Sequence, residues 1–365
     1  MENIEEDLIP SWEQSEEDDQ ESRVLQIKVD PGQASLRLDS FINDKVSKVS
    51  RNKIQTAILA GLVTVNGKVL KSNYKVRPND LIEIIFPAQT DHSKVVPENI
   101  PLDIIYEDDD VLLVNKSPGM VVHPAHGNYT GTLVNAIAGY FKLDPDDPKT
   151  ARYGLVHRID KETSGILVLA KNDFAHAHLA KQFFDHSIDR EYLALVWGEP
   201  SEPEGTITAH LGRDPKNRQK MFAFTDGSFG KHAVTHYKLV EPFYYTSLLA
   251  CKLETGRTHQ IRVHLKLLGH TLFNDERYGG EKIMKGTVFT KYKQFIQNCF
   301  KIMPRFPLHA RSLAFTHPTS GKRMKFEVPL PDDFQELLEK FRHYLSYRKD
   351  HLEDKDESVV NEKES

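Results

Sequence analysis

A chain of 365 residues, 39% of them hydrophobic, is long enough for a small domain beside a larger one, and no apolar run nears the ~20 residues that cross a bilayer. Its two cysteines, Cys251 and Cys299, are too few and too far apart for a disulfide framework or a thiolate metal site. The formal charge of −5 argues against a nucleic-acid partner only until it is divided: without the 17 acids and 4 bases of residues 1–23 and 349–365, residues 24–348 hold 44 bases against 36 acids, a charge of +8.

Residues 1–23 are acidic and lack an apolar signal core, so a soluble cytoplasmic protein is expected, with disordered solvating tails at 1–23 and 349–365. Residues 24–87 form a self-contained pattern. Leu36, Leu38, Phe41, Ile42 and Val46 recur at helical spacing, and Ser50 is a candidate N-cap for a second helix carrying Ile54, Ala57, Ile58 and Leu59, ended by Gly61. Residues 62–69 read as a hairpin about Asn66-Gly67, and Pro78-Asn79-Asp80 turns the chain into a closing strand, residues 81–86. Ten Lys/Arg stand against five Asp/Glu here, with Arg37, Lys48, Arg51 and Lys53 around the two helices. A solvated basic face would account for that. The stretch also resembles the small αL-motif RNA-binding module found in a small-subunit ribosomal protein and in RNA-modifying enzymes, which implies that these four cations contact RNA. Residues 88–101, with Pro97 and Pro101 just after Pro87, read as a linker.

From residue 102 the pattern is α+β. Strand-like runs at 104–106, 111–115, 165–170, 192–197, 233–240, 247–253 and 325–328 alternate irregularly with helical runs at 131–142, 174–186 (behind an Asp173 cap), 258–268 and 333–346. No βαβ rhythm appears, so a mixed, largely antiparallel sheet is expected over 102–331, followed by a C-terminal helix at 332–348. The basic segment 281–306 reads as an insertion with a helix near 288–300.

Three elements carry candidate chemistry. In His157-Arg158-Ile159-Asp160-Lys161-Glu162-Thr163-Ser164-Gly165, one apolar strand enters a knot of charged and small polar residues and another leaves it. Such a loop presents reactive groups from a rigid scaffold, although an exposed charged turn reads equally well from spacing alone. In residues 254–265, Gly256 lets the chain turn and Thr258 can cap a helix whose first turn holds His259 and Gln260. Arg257 then stands where a helix dipole also attracts anions. His259 and His264 are five apart and do not share a helix face as metal-binding pairs do. Alternation along Arg190-Glu191-Tyr192-Leu193-Ala194-Leu195-Val196 sets Tyr192 on one face with Ala194 and Val196.

Together these elements resemble the RluA-type family of pseudouridine synthases over about residues 102–331. The family's His-Arg-Leu-Asp-x-x-Thr-Ser-Gly loop is met with Ile159 in place of leucine. Its Thr-Gly-Arg-Thr-His-Gln-Ile-Arg-x-His element is met in full by residues 255–264, and its Arg-x-Tyr-x-Ala-x-Val strand by 190–196. Residues 308–318 look like the family's closing hairpin. The resemblance implies Asp160 as the essential carboxylate, Arg257 as its ion partner and Tyr192 as the ring that stacks on a flipped uracil. Arg158, His157, Thr163, His259, Gln260 and Arg262 are expected to meet substrate, with no metal and no cofactor. Action on structured RNA follows, with large-subunit ribosomal RNA or an assembling subunit the first expectation; the oligomeric state is open, with a monomer the default. The alternatives are transfer RNA as substrate, or a non-catalytic ribosome-assembly factor. A paired-carboxylate hydrolase is disfavoured, since no second acid stands in a comparable strand-loop context.

Overall fold

The computed structural model describes residues 23–46, 51–59, 61–86, 95–124, 127–147, 153–217, 219–287 and 289–361. The chain divides into two compact units, Met1–Ser93 and Lys94–Ser365.

The first unit contains β1 (Arg23–Lys28), α1 (Leu38–Lys45), α2 (Arg51–Leu59), β2 (Val63–Val65) and β3 (Leu81–Phe86), with an antiparallel sheet in the order β1-β3-β2. Leu38, Phe41, Ile42, Ile54 and Ile58 bury against Val63, Val65, Val76, Ile82 and Ile84. Two expectations change. Leu59, counted with the apolar residues of the second helix, is 87% exposed. Asn66 (φ 51°) and Gly67 (φ 72°) make the expected tight turn, but among residues 62–69 only Val65 and Lys68 pair across it, and β2 instead joins β3. The chain beyond is drawn elsewhere: the free amides at the start of α1 take it, Leu38 N–H donating to the Tyr74 carbonyl and Asp39 N–H to that of Ser72.

The second unit contains β4 (Ile104–Glu107), β5 (Val111–Lys116), α3 (Leu133–Phe141), β6 (Ser164–Ala170), α4 (Asp173–Phe184), β7 (Asp189–Trp197), β8 (Glu204–Arg213) and β9 (Met221–Phe224). After these come β10 (Lys231–Pro242), β11 (Thr246–Leu253), α5 (Gln260–Leu267), α6 (Thr290–Ile302), β12 (Leu308–Thr316), β13 (Arg323–Glu327) and α7 (Asp332–Asn361). One ten-stranded sheet runs β4-β5-β6-β12-β7-β11-β10-β8-β9, with β13 beside β12. Its β6–β12 pair is parallel and the others are antiparallel, which is the mixed α+β sheet expected.

The central strands are buried on both faces over most of their length, so β6 and the second half of β7 are almost wholly apolar. In β7, Tyr192, Ala194 and Val196 join a core with α3 and α5, while Leu193, Leu195 and Trp197 join one with α6 and α7. Gly165, where β6 meets β12, has φ 116°, and a side chain there would collide with the Ala310 carbonyl.

Four boundaries differ from expectation. Residues 95–101 are packed rather than free: Val95 buries with Val134 and Ala138, and Asn135 Nδ2 donates to the Val96 carbonyl at 2.8 Å. The cap of α4 is Asn172, whose side chain accepts from Ala175 N–H, and not Asp173. The helix expected to end at residue 348 continues to Asn361 through much of the segment expected to be disordered. Residues 332–361 hold no glycine or proline and are rich in Glu, Lys, Arg and Leu, whose helix propensity outweighs the acidic bias. Finally, β8 and β9 were not anticipated, although Ile207, Ala209 and Leu211 alternate inward along β8.

Candidate active site

The loop before β6 is anchored through its backbone. Lys116, 2% exposed, donates from Nζ to the carbonyls of Ser117, Met120 and Lys161 at 2.7, 2.8 and 3.0 Å. Gly119 N–H also meets the Lys161 carbonyl, Arg305 Nη1 donates to the Glu162 carbonyl at 2.9 Å, and Thr163 N–H closes a turn on the Asp160 carbonyl. Burial brings the Lys116 pKa down to about 7. These contacts hold residues 160–163 in one conformation and leave the Asp160 side chain 23% exposed. Neither Lys116 nor Arg305 is marked by a local sequence signal. A lysine ending the apolar run of β5 is the one hint.

Asp160 meets Arg262, not Arg257. Arg262 Nη1 donates to Asp160 Oδ2 at 3.1 Å, while its Nε and Nη2 hold both oxygens of Asp275 at 2.8 and 2.9 Å. The guanidinium also lies 4.1 Å from the Phe306 ring centroid and 4.9 Å from that of Tyr278. Burial opposes its charge, but Asp275 and Asp160 prevail and raise its pKa. Arginine suits this position because its planar fork serves two carboxylates in fixed directions. Arg257, expected as the ion partner, instead donates from Nε to the His232 carbonyl at 3.2 Å. It precedes α5, whereas Arg262 lies within the helix, facing inward. Asp275 has no sequence motif to mark it.

Other expected contacts also separate. The amide of Gln260 accepts from Thr255 Oγ1 and Arg257 N–H and donates to the Val234 carbonyl and Thr235 Oγ1. Its hydrogen-bonding capacity is thus exhausted within the protein, and it fixes the start of α5 to β10 rather than holding substrate. Thr258 does not cap α5; the residue before the helix is His259, at φ 55°, with no side-chain cap bond. Gly256 turns without a positive φ. His157 accepts the Val168 N–H on Nε2 and stacks on Phe183. His259 places Nδ1 2.7 Å from the Tyr278 hydroxyl and Nε2 3.9 Å from Asp160. Burial holds its pKa near about 4, so it faces Asp160 as a neutral ring. Thr163 is 1% exposed and its Oγ1 has no protein partner.

A cavity of about 540 Å³ opens over Asp160, a volume within the usual range for a small-molecule pocket. Tyr192, Arg158 and Arg257 line it, and of its charged lining residues four are arginines and one, Asp160, is an acid. Tyr192 is 6% exposed, and burial, beyond the opposing pull of Arg190 and the push of Asp160, raises its pKa, so its hydroxyl keeps its proton near neutrality. Arg158 is exposed. The arrangement offers a fixed carboxylate, an aromatic ring and a cationic surround, which suits an anionic polymer presenting one base. Among the described residues no group of three His, Cys, Asp or Glu side chains could hold a metal ion, and no helix is long and apolar enough to cross a membrane.

In the first unit, Arg37 and Arg51 converge on Asp39, at 3.0 and 3.2 Å, with Gln55 donating at 2.7 Å. The Arg37 hydrogen bond, with Gln55 and Arg51, holds the Asp39 carboxyl far below the usual carboxylate range. Both guanidiniums are therefore fixed by an internal carboxylate while remaining about half exposed. Lys48 and Ser50 lie outside the described residues, as does the side chain of Lys53.

The family model described as RNA pseudouridylate synthase matches residues 110–267, and the S4 domain model matches residues 36–82. An "uncharacterized RNA pseudouridine synthase" of Chlorobaculum parvum is 45% identical over 88% of this chain and 99% of its own length. This chain is a member of the RNA pseudouridine synthase family. It carries an S4 RNA-binding domain in front of the synthase domain, and it is an enzyme that isomerises uridine in RNA. Among its further relatives, the synthase "YlyB" of Bacillus subtilis is 42% identical over 87% of this chain and 98% of that protein. The "ribosomal large subunit pseudouridine synthase D" of Zymomonas mobilis is 43% identical, covering 83% of this chain and 92% of that one.

The buried histidines are expected to make the fold acid-sensitive. Burial lowers the pKa of His157 to about 3 and those of His259, His264 and His309 to about 4. Each stays neutral in the fold while its unfolded counterpart takes a proton below about 6.5, so the unfolded chain binds more protons as pH falls. Stability present above about pH 6.5 is lost towards pH 4. Melting curves are expected to show a midpoint falling by several degrees from about pH 7 to about pH 5, and a flat profile there would contradict these shifts.

Proposed function

We propose that this synthase modifies specific uridines of large-subunit ribosomal RNA, as a monomer, with Asp160 as its essential carboxylate. The observation that carries the catalytic part is the Asp160–Arg262–Asp275 chain beneath the cationic cavity. A uridine within a helix shields its glycosidic bond, and extruding it costs a few kcal/mol, least where the base is unpaired. Cationic contacts to the flanking phosphates offset that cost, and Arg158, exposed beside Asp160, is placed to enter the gap left in the stack. The flipped uracil then stacks on Tyr192 with its sugar towards Asp160. The carboxylate acts on the nucleotide as a nucleophile or by stabilising positive charge at the anomeric carbon, held in one orientation by Arg262. The reaction on this reading requires no metal or organic cofactor.

The ribosomal address is supported by the S4 domain and by the relative from Zymomonas mobilis that is named for the large subunit. Both thiols are buried and unpaired, which fits a reducing cytoplasm. Pseudouridine maps of ribosomal and transfer RNA from cells lacking the protein test the address. Loss of pseudouridine at discrete large-subunit positions, restored by the wild-type gene, is the expected result. Loss confined to transfer RNA would replace the ribosomal reading with the transfer-RNA one.

A further inference from the structure

One buried cation lining the cavity has no counter-charge among the described residues. Arg190 at the start of β7 is 8% exposed and lines the cavity two residues before Tyr192. Its Nη2 reaches the Glu254 carbonyl at a long 3.4 Å, and its buried Nε has no partner. Among the described residues no carboxylate lies within ion-pair distance of it. Glu254 turns its own carboxylate to His236 at 2.7 Å, and Glu191, next in sequence, faces Arg311 at 3.7 Å. The guanidinium rests against the Phe183 ring, 5.4 Å from its centroid, and burial lowers its pKa. A buried cation without a counter-charge is costly to the fold and is retained where a ligand supplies the missing charge.

We propose that Arg190 binds a carbonyl oxygen of the flipped uracil and stabilises the negative charge the base acquires when its bond to ribose breaks. This rests on the uridine isomerisation common to the family and is independent of the RNA address. A flipped nucleotide inserts its base deepest while its phosphates stay at the mouth, so a side chain as buried as Arg190 meets the base. When the bond between C1′ and N1 breaks, its electron pair leaves with the uracil, giving an anion shared by N1, O2 and O4. The ring turns and C5 bonds to C1′. The proton displaced from C5 is exchanged with solvent as N1 gains one, so no atom is gained or lost. A preorganised cation against O2 or O4 acts when that charge develops, in a site from which water is excluded.

The test uses full-length protein and an RNA transcript, labelled with [5-³H]uridine, that the wild-type enzyme turns over; activity of that enzyme keeps this test separate from the general assignment. Arg190→Met is expected to slow single-turnover tritium release by about 100-fold or more, the scale of removing one oxyanion donor, with RNA affinity unchanged. Its melting midpoint is expected to hold or rise, because an unpaired buried charge has gone; a merely structural arginine would lower it. Arg190→Lys is expected to recover much of the rate. Gly256→Ala is a second variant that keeps the charge and moves it, since an added Cβ would lie 3.0 Å from Arg190 Nη1; slower chemistry with normal folding is expected. A wild-type single-turnover rate in Arg190→Met, or a loss of affinity alone, would overturn the proposal, the second by pointing to a phosphate contact. Equal impairment of the lysine and methionine variants at unchanged stability would also overturn it.

Discussion

Replacing Asp160 with asparagine is expected to reduce turnover by at least about four orders of magnitude while RNA binding persists, the scale seen when an essential reacting group is removed. Asparagine keeps the shape of the side chain and can still accept from Arg262 through its amide oxygen, so the anchored loop should not move. What disappears is the negative charge, which either catalytic role needs. Arg262 remains paired with Asp275 at 2.8 and 2.9 Å, so its guanidinium keeps all three hydrogen bonds and loses only the charge on one acceptor. That limits the stability change to the order of 1 kcal/mol. The measurements are single-turnover tritium release and filter binding at one stated salt concentration, since phosphate contacts make affinity salt-dependent. Near-normal release by the asparagine variant would remove Asp160 from the mechanism.

The second large effect separates the two arginines. Arg262→Met strips the buried Asp275, which is 0% exposed, of its charge partner and frees the Asp160 side chain. Breaking such a pair typically costs about 3–5 kcal/mol, so a marked fall in the melting midpoint is expected along with loss of turnover. Arg257→Met breaks one exposed contact to a backbone carbonyl, so it is expected to leave the melting midpoint near wild type and to act mainly on RNA affinity. The double variant Arg262→Met with Asp275→Leu removes both members of the buried pair. It is expected to regain much of the stability without regaining turnover, which isolates the effect on Asp160. If Arg257→Met slowed the chemical step as much as Arg262→Met, the ion partner would have to be reassigned.

The choice between those arginines shows where sequence reasoning stops. Both stand in residues 255–264, both are always charged, and spacing cannot say which faces inward. The answer depends on where α5 begins. Reading Thr258 as the cap made Arg257 the residue at the mouth of the helix. Gln260 decides otherwise: its amide binds Thr255, Arg257 N–H and β10, so the helix starts there and Arg262 turns towards Asp160. Gln260 was expected to meet substrate on the resemblance of its motif. Polar side chains in a motif look alike on paper whether they bind a ligand or satisfy the backbone of a neighbouring strand.

By itself the sequence determined what depends on local pattern. Apolar periodicity marked most of the strands and helices, Asn66-Gly67 marked a tight turn, and the uneven charge exposed a basic body between acidic ends. The loop carrying Asp160 and the strand carrying Tyr192 were likewise legible, because each is a short motif read along the chain. The tertiary structure alone decided what depends on groups far apart in sequence. It inserted β12 between β6 and β7, joining residues 164–165 to 309–310. It brought Asp275 to Arg262, Arg305 to the Asp160 loop, and Lys116 beneath it. It also left Arg190 buried without a counter-charge among the described residues. The physical reason is that a buried polar group must find its partners wherever the fold places them. Those partners, set by sheet order rather than by spacing, fix how the Asp160 carboxylate is held.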